Sequence, residues 1–279
     1  DPLARVARLA AQALGTPVAQ VNLVTADRQV PVAAYVAPAV VAADPGAIDR
    51  WREPVTLAAS LCQYVVAAGR PAALVDARQD AVARSNEAVT RAGLVGYVSV
   101  PLRAPAAPGA APGSGPVVGS VCVVDTEPRR WTAADVAALE DLAAVAAAEV
   151  ARRTAERHRR ALADAMPQIV WTASPEGRLE FLNRRWAEVT GQDPADAVRD
   201  GAATGEGAVA FVHPDDRAGV QEAWRRRLPG GDLDGQDFTF EYRLRTAGGA
   251  YRWHLGRIVA EREEGAEGAA GRVVRWVGT

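Results

Sequence analysis

Two cysteines, Cys62 and Cys122, and three histidines, His158, His213 and His254, are the side chains of this 279-residue chain to which thiol or imidazole chemistry could be assigned. A reactive thiol needs nearby cations to lower its pKa, and neither cysteine has an arginine or histidine within three positions. Both therefore read as thiols that simply pack. Two cysteines so far apart make neither a zinc module nor a disulfide scaffold, and they fit a cytoplasmic chain. Asp76 beside Arg78 could serve as an acid–base residue, but at the end of a strand turning into a helix it reads as a cap. All 32 basic residues are arginine. Without lysine there is no phosphate loop ending in Gly-Lys-Ser/Thr, no kinase strand lysine and no Schiff-base nucleophile.

Composition bounds the remaining options. With 49% hydrophobic and 24% charged residues and no apolar run long enough to cross a bilayer, the chain reads as globular and without a membrane segment. A net charge of −2 and a pI near 6.0 leave no basic field to hold a phosphate backbone, so nucleic acid is not an expected partner. The length suits two domains. No charged leader with an apolar core opens the chain, which starts at Asp1 without a methionine and reads as a piece of something longer.

The elements that must position these residues begin with a helix from Leu3 to Leu14, stopped at Gly15. Val18 to Val24 and Val30 to Val36 are β-branched runs around Thr25-Ala26-Asp27-Arg28, a hairpin. Ser60 offers a cap for a helix through Leu61 and Val65 to Gly69, followed by a strand from Ala72 to Val75 and a helix near Asn86 to Ala92. Strands Tyr97 to Leu102 and Val117 to Val124 flank Ala104 to Pro116, whose Ala, Pro, Gly and Ser predict a mobile hairpin loop. The order of elements and the words "SLCQYVVAAGRPAALVDARQD" from Ser60, "GYVSVPLR" from Gly96 and "VVGSVCVVDTEPRRWTAADVAALEDLA" from Val117 resemble the GAF family. That resemblance implies an antiparallel sheet with helices on both faces and a small-molecule pocket, with Leu61, Cys62, Val65, Tyr97 and Cys122 as candidate lining residues. The Asn-Lys-Phe-Asp-Glu signature of cyclic-nucleotide-binding members and the Asp-Ile-Pro segment of bilin-binding members are absent. No histidine lies in residues 1–152 to ligate a haem. Some GAF proteins are thiol enzymes that reduce free methionine sulfoxide, which would assign chemistry to Cys62 or Cys122.

Thr132 caps a helix on which Val136, Leu139, Ala143, Ala146 and Val150 recur at three- and four-residue steps, as one seam of a coiled coil would. No glycine or proline interrupts Thr132 to Met166, so about 35 residues could extend roughly 50 Å at 1.5 Å per residue. The seam predicts a parallel homodimer through this helix. His158 is followed by Arg159 and Arg160 rather than the Glu-Leu-Arg-x-Pro run of a sensor-kinase phosphoacceptor, and the surrounding arginines read as a solvated face.

Ile169 to Ala173 and Leu179 to Leu182 predict strands around the turn Ser174-Pro175-Glu176-Gly177, and Asn183 a cap for a helix ending at Gly191. Phe238, Phe240, Tyr242 and Leu244 alternate with Thr239, Glu241, Arg243 and Arg245, a turn at Ala247-Gly248-Gly249 leads to Tyr251, Trp253 and Leu255, and Val273 to Val277 ends the pattern. "MPQIVWTASPEGRLEFLNRRWAEVTG" from Met166, "FVHPDDR" from Phe211, "FTFEYRLRTAGGAYRWHLGR" from Phe238 and "VVRWVGT" from Val273 resemble a PAS domain. The resemblance implies a five-stranded sheet around a cavity, with Trp171, Phe181, Trp186, Phe240, Tyr242 and Trp253 as candidate walls. PAS haem sensors use a histidine ligand, but His213 precedes Pro214, Asp215 and Asp216 and reads as a helix start. Strand alternation points His254 away from the cavity, so haem is disfavoured. No cysteine lies in this half, which excludes a flavin photoadduct.

The expected fold class is α+β: two domains, each a mainly antiparallel sheet flanked by helices, joined by a long helix. Residues 1–152 form the GAF-like part with the connecting helix from about 132, 153–165 the helical linker and 166–279 the PAS-like part. The expected function is a cytoplasmic sensory input module that binds a small molecule of unknown identity, without an assigned cofactor or metal. It would signal through the helix to an output domain of serine phosphatase or histidine kinase type. Arginine without lysine and abundant alanine suggest a high-GC, actinobacterial source. A thiol-dependent methionine sulfoxide reductase and a ligand-free dimerisation scaffold are the alternatives.

Overall fold

The computed structural model describes residues 1–107, 109–111, 113–204, 208–231, 233–263 and 271–279. Pro108 and Pro112, within the expected Ala104 to Pro116 loop, lie outside them. The chain divides into two compact units, Asp1–Ala155 and Glu156–Thr279.

The first unit runs α1 (Pro2–Leu14), β1 (Val18–Val24), β2 (Arg28–Val36), α2 (Pro38–Ala43), α3 (Ala47–Arg50), β3 (Val55–Thr56), α4 (Cys62–Ala68), β4 (Ala72–Leu74), α5 (Glu87–Thr90), β5 (Gly96–Arg103) and β6 (Val117–Asp125). Among the described residues the strands form one sheet in the order β3-β2-β1-β6-β5-β4, with every neighbour antiparallel. Successive side chains on a strand point to opposite faces. One face carries Ala19, Val21, Val98, Val100, Leu102, Val121 and Val123, which share a buried cluster with Leu3, Val6, Ala10 and Leu14 of α1. α1 starts at the Asp1 side chain, which accepts from the Leu3 N–H, and ends at Gly15 with φ 62°. Arg129 closes that end by donating to the Leu14 and Gly15 carbonyls. α2, α3 and β3 were not foreseen from the sequence. They are two to six residues long, too short for a periodic signal.

α6 (Ala133–Ala165) is one unbroken helix, as its sequence predicts. It opens with a reciprocal cap in which Thr132 Oγ1 accepts from the Asp135 N–H at 3.1 Å and Asp135 Oδ2 accepts from the Thr132 N–H at 2.8 Å. The expected dimer seam is corrected by the packing. Leu139, Ala143 and Ala146 are buried in the same cluster as α1 and the sheet, with Val136 and Val150 packed at its edge. A helical stripe needs an apolar partner, and the chain itself supplies one.

The second unit contains β7 (Trp171–Ala173), β8 (Leu179–Leu182), α7 (Arg185–Thr190), α8 (Pro194–Thr204), α9 (Pro214–Arg225), β9 (Phe238–Arg245), β10 (Tyr251–Arg262) and β11 (Val273–Gly278). Its sheet is ordered β8-β7-β11-β10-β9 and is antiparallel throughout. His213 caps α9, its Nδ1 accepting from the Asp215 N–H at 3.3 Å, with Pro214 in the first turn. Asn183 is not the cap of α7, whose N-cap is Arg184. It is fully buried and acts as a clamp. Its Oδ1 accepts from the Val170 N–H at 2.9 Å, and its Nδ2 donates to the Ala163 carbonyl of α6 at 2.7 Å and to the Gln168 carbonyl at 3.0 Å. One side chain thus satisfies three backbone groups where α6 gives way to β7.

The burial of α6 separates two substitutions. Leu139→Ala should cost about 2–5 kcal/mol, the range for buried Leu→Ala changes. Val145→Ala, on a side chain 58% exposed, should stay within about 0.5 kcal/mol. Urea unfolding of the full chain measures both, and equal costs would contradict this placement of the seam.

Candidate functional site

The second unit encloses a cavity of about 360 Å³. Trp171, Trp186, Phe240 and Tyr242 line it, together with Leu179 and Leu182 of β8 and Val220 and Trp224 of α9. The rings brace one another: Trp171 lies 5.6 Å from Trp224, and Phe240 lies 5.1 Å from Tyr242 between centroids. Gly278, paired with Trp171 across β11 and β7, makes this arrangement possible, because a Cβ there would sit 2.1 Å from the indole. Burial pushes the Tyr242 phenol up to about 12, so it stays protonated and can donate. Glu176, Gln221 and Arg225 add polar groups at exposed positions of the rim.

Two of the six expected wall residues lie elsewhere, for reasons of strand pairing. Residues directly opposite on antiparallel strands share a face. Tyr242 is opposite His254, whereas Trp253 is opposite Arg243. Trp253 therefore stands on the outer face, 67% exposed, with the Arg243 guanidinium 5.2 Å from its ring. Phe181 is opposite Thr172, while its neighbour Leu182 is opposite Trp171 and faces inward. Phe181 instead meets the Arg159 guanidinium at 6.0 Å. The same rule puts His254 on the face of Tyr242 rather than the opposite one, yet it stays out of this cavity, half-buried beside a second hollow of about 250 Å³ that it lines with Tyr242 and Ile169. Trp224 was missed, although Val220, Trp224 and Leu228 recur every four residues, the spacing of one helix face. Asp216 of α9 anchors β9, accepting from the Arg243 N–H at 2.9 Å and pairing with its guanidinium at 2.7 Å. Those bonds hold the Asp216 carboxyl down at about 2.

In the first unit a cavity of about 230 Å³ is lined by Leu61, Cys62, Tyr97 and Cys122. Val65, the fifth expected residue, is buried one turn further along α4 and is not part of the lining. Arg50, Glu53, Glu87 and Arg91 line it from exposed positions. Behind it lies the second face of the sheet, which reaches the cavity through Gln20, Tyr97, Cys122 and Val124 and carries a group of buried polar side chains. Gln20 and Asn22 of β1, Ser99 of β5, and Ser120 and Cys122 of β6 are all buried there. Gln20 pairs with Cys122 and Cys122 with Ser99, so one row crosses three strands. Ser60 Oγ donates to Gln29 Oε1 at 2.6 Å, and Gln29 Nε2 donates to Asn22 Oδ1 at 3.0 Å. Asn22 Nδ2 then reaches both sulfurs, Cys62 at 3.5 Å and Cys122 at 3.4 Å.

The two thiols lie 3.9 Å apart, and Tyr97 Oη donates to Cys62 at 3.4 Å. Contact with the Cys122 thiol is the main influence that pulls Cys62 down to about 7; Ser120, Tyr97 and Ser99 add to it against the cost of burial. The same contact, and burial, push Cys122 up. The Ser99 and Ser120 hydroxyls themselves make no hydrogen bond of ordinary length among the described residues. Local sequence suggested inert thiols because it lacks cations. The help comes from neutral donors distant in sequence, and the one available clue was the polar residues at a single parity of otherwise apolar strands.

These features have recorded counterparts. Residues 2–150 match the family model for the GAF domain, over half of the chain. The chain belongs to the GAF domain family. Residues 179–279 match the model for the PAS fold, so the order is GAF then PAS. The uncharacterized protein y4lL of Sinorhizobium fredii is 34% identical over 144 residues, which are 52% of this chain and 16% of that protein's length. The GAF domain of a phosphoenolpyruvate-protein phosphotransferase from Coxiella burnetii is similar at 15% identity and TM-score 0.42, over 56% of this chain and 84% of that one. Free methionine-R-sulfoxide reductase from Neisseria meningitidis is similar at 16% identity and TM-score 0.39, over 55% and 78% of the two chains. Neither of these two structural likenesses bears on what this chain binds.

The unpaired hydroxyls of the GAF unit should reveal themselves in stability. Ser99→Ala and Ser120→Ala, which remove buried groups that lack partners, should leave stability within about 0.5 kcal/mol or raise it. Asn22→Ala, which strips Gln29 of a buried acceptor, should cost about 1–3 kcal/mol. Denaturant unfolding of the three variants checks the contrast.

Proposed function

We propose that this chain is a sensory input module whose PAS-fold cavity takes a small, largely apolar, planar molecule. The observation that carries the reading is that cavity itself: about 360 Å³ walled by four of the expected aromatics, with one protonated phenol available to orient a guest. A core built only for stability would close such a space, because each unfilled methyl-sized void costs roughly 1 kcal/mol. The GAF cavity is smaller, and among its apolar side chains it carries the Gln20 and Gln29 amides and the two thiols.

Occupancy of either cavity would be passed to an output domain through α6, whose residues pack in the GAF core and whose Ala163 carbonyl is held by Asn183 in the PAS unit. A coupling of about 1–3 kcal/mol would suffice for such a relay. An output of serine phosphatase or histidine kinase type belongs to this proposal. So does a homodimer, which would use residues of α6 that its own units leave exposed, such as Val145 and Leu162.

Thermal scanning of the full chain against planar aromatic compounds tests the cavity. A ligand at a hundredfold excess over its Kd should stabilise by about 2.7 kcal/mol, a Tm shift of roughly 10 °C for a unit of this size. Leu179→Trp, which fills the space from β8, should abolish the shift while the variant stays folded. A shift that survives the substitution would place the guest elsewhere.

A further inference from the structure

The thiols of the GAF unit are arranged for more than packing. A buried cysteine in apolar surroundings is inert, but Cys62 and Cys122 face each other at 3.9 Å inside a ring of donors. Asn22 Nδ2 reaches both sulfurs, Tyr97 Oη reaches Cys62, and the otherwise unpaired Ser99 and Ser120 hydroxyls stand close enough to favour a Cys62 thiolate. Both cysteines also line the cavity of about 230 Å³, which admits a molecule of water size, roughly 30 Å³.

We propose that Cys62 and Cys122 are a redox site of the GAF unit, closing into a reversible disulfide when hydrogen peroxide enters the cavity that both line. Cys62 is the attacking sulfur. As thiolate it bonds to one peroxide oxygen, the O–O bond breaks, and Cys62 becomes a sulfenic acid; the departing hydroxide takes up the proton Cys62 had released and leaves as water. The Cys122 sulfur then attacks the Cys62 sulfur. The S–S bond forms, the S–O bond breaks, and the hydroxyl leaves with the Cys122 proton as a second water. Two thiols and one peroxide yield one disulfide and two waters, with two electrons passing from sulfur to oxygen.

Closure to the disulfide distance shortens the gap by about 2 Å. Cys122 is held between β1 and β5 by ladders on both sides. Cys62 opens the short helix α4, so the movement falls on α4. A disulfide also accepts hydrogen bonds less well than a thiolate. The Asn22 amide and Tyr97 hydroxyl would lose their acceptor, and oxidation would change the two sulfurs that line the cavity.

The test treats the full chain with a molar excess of hydrogen peroxide. Thiol titration in denaturant should fall from two groups to none, and dithiothreitol should restore both. Non-reducing peptide mapping should show the Cys62 and Cys122 peptides joined, with the loss of two hydrogens. In Cys122→Ser, dimedone should trap a sulfenic acid at Cys62, whereas in Cys62→Ser it should trap none at Cys122. Survival of both thiols under peroxide that oxidises free cysteine would overturn the proposal. So would sulfinic or sulfonic acid at either site without a joined peptide. The wild-type map decides the matter even where a variant fails to fold.

Discussion

The alternation of side chains along β1, β5 and β6 is the constraint on which the GAF unit depends. Because neighbours on a strand face opposite ways, those three strands present two different chemistries at once. Val21, Val98, Val100, Val121 and Val123 make a dry face for α1 and α6. Gln20, Asn22, Ser99, Ser120 and Cys122 put buried polar groups on the other side, and Gln20 and Cys122 reach the cavity. A slip of one residue in any ladder would put amides in the core and valines in the cavity. The dry face therefore enforces the register that assembles the site. Burying hydroxyls without partners costs about 1–3 kcal/mol each, and the apolar face offsets that cost.

The PAS unit meets the same geometric rule with a different result. Its inward parity on β9 and β10 sets Phe238, Phe240 and Tyr242 opposite Ile258, Gly256 and His254. Phe238 stacks on Phe240 and Phe240 tilts against Tyr242, while Trp224 meets Phe238 and Trp276 edge to face at 5.4 Å. Large rigid rings braced in this way leave a space that smaller side chains would close. Arg243 and Asp216 hold β9 to α9 from outside the cavity, so this ion pair fixes a wall without entering the space.

α6 shows how one pattern supports two readings. Apolar residues at three- and four-residue steps suit a coiled-coil seam and a core-facing helix equally well. The choice is made by whether another part of the same chain offers a matching surface. Here α1 and the sheet do, and Leu139, Ala143 and Ala146 are consumed by them. Only its length and its reciprocal cap could be inferred without knowing that partner.

What the amino-acid order determined by itself was local and periodic. The β-branched runs, the turn and terminator glycines, the Thr132 cap and the alternation of β9 specify the elements and the two-domain α+β plan, because each rests on neighbours in sequence. Recognisable wording from Ser60 to Asp80 and from Phe238 to Arg257 carried the two fold families as well. Tertiary structure alone decided which partner faces which. Cys62 meets Cys122 and Asn22 across 60 and 40 positions, Tyr242 selects His254 rather than Trp253, and Asn183 reaches back to the end of α6. Each choice depends on strand register or on contacts distant along the chain. Local propensity does not encode them, since the free energy that settles them is gained only when the sheets close.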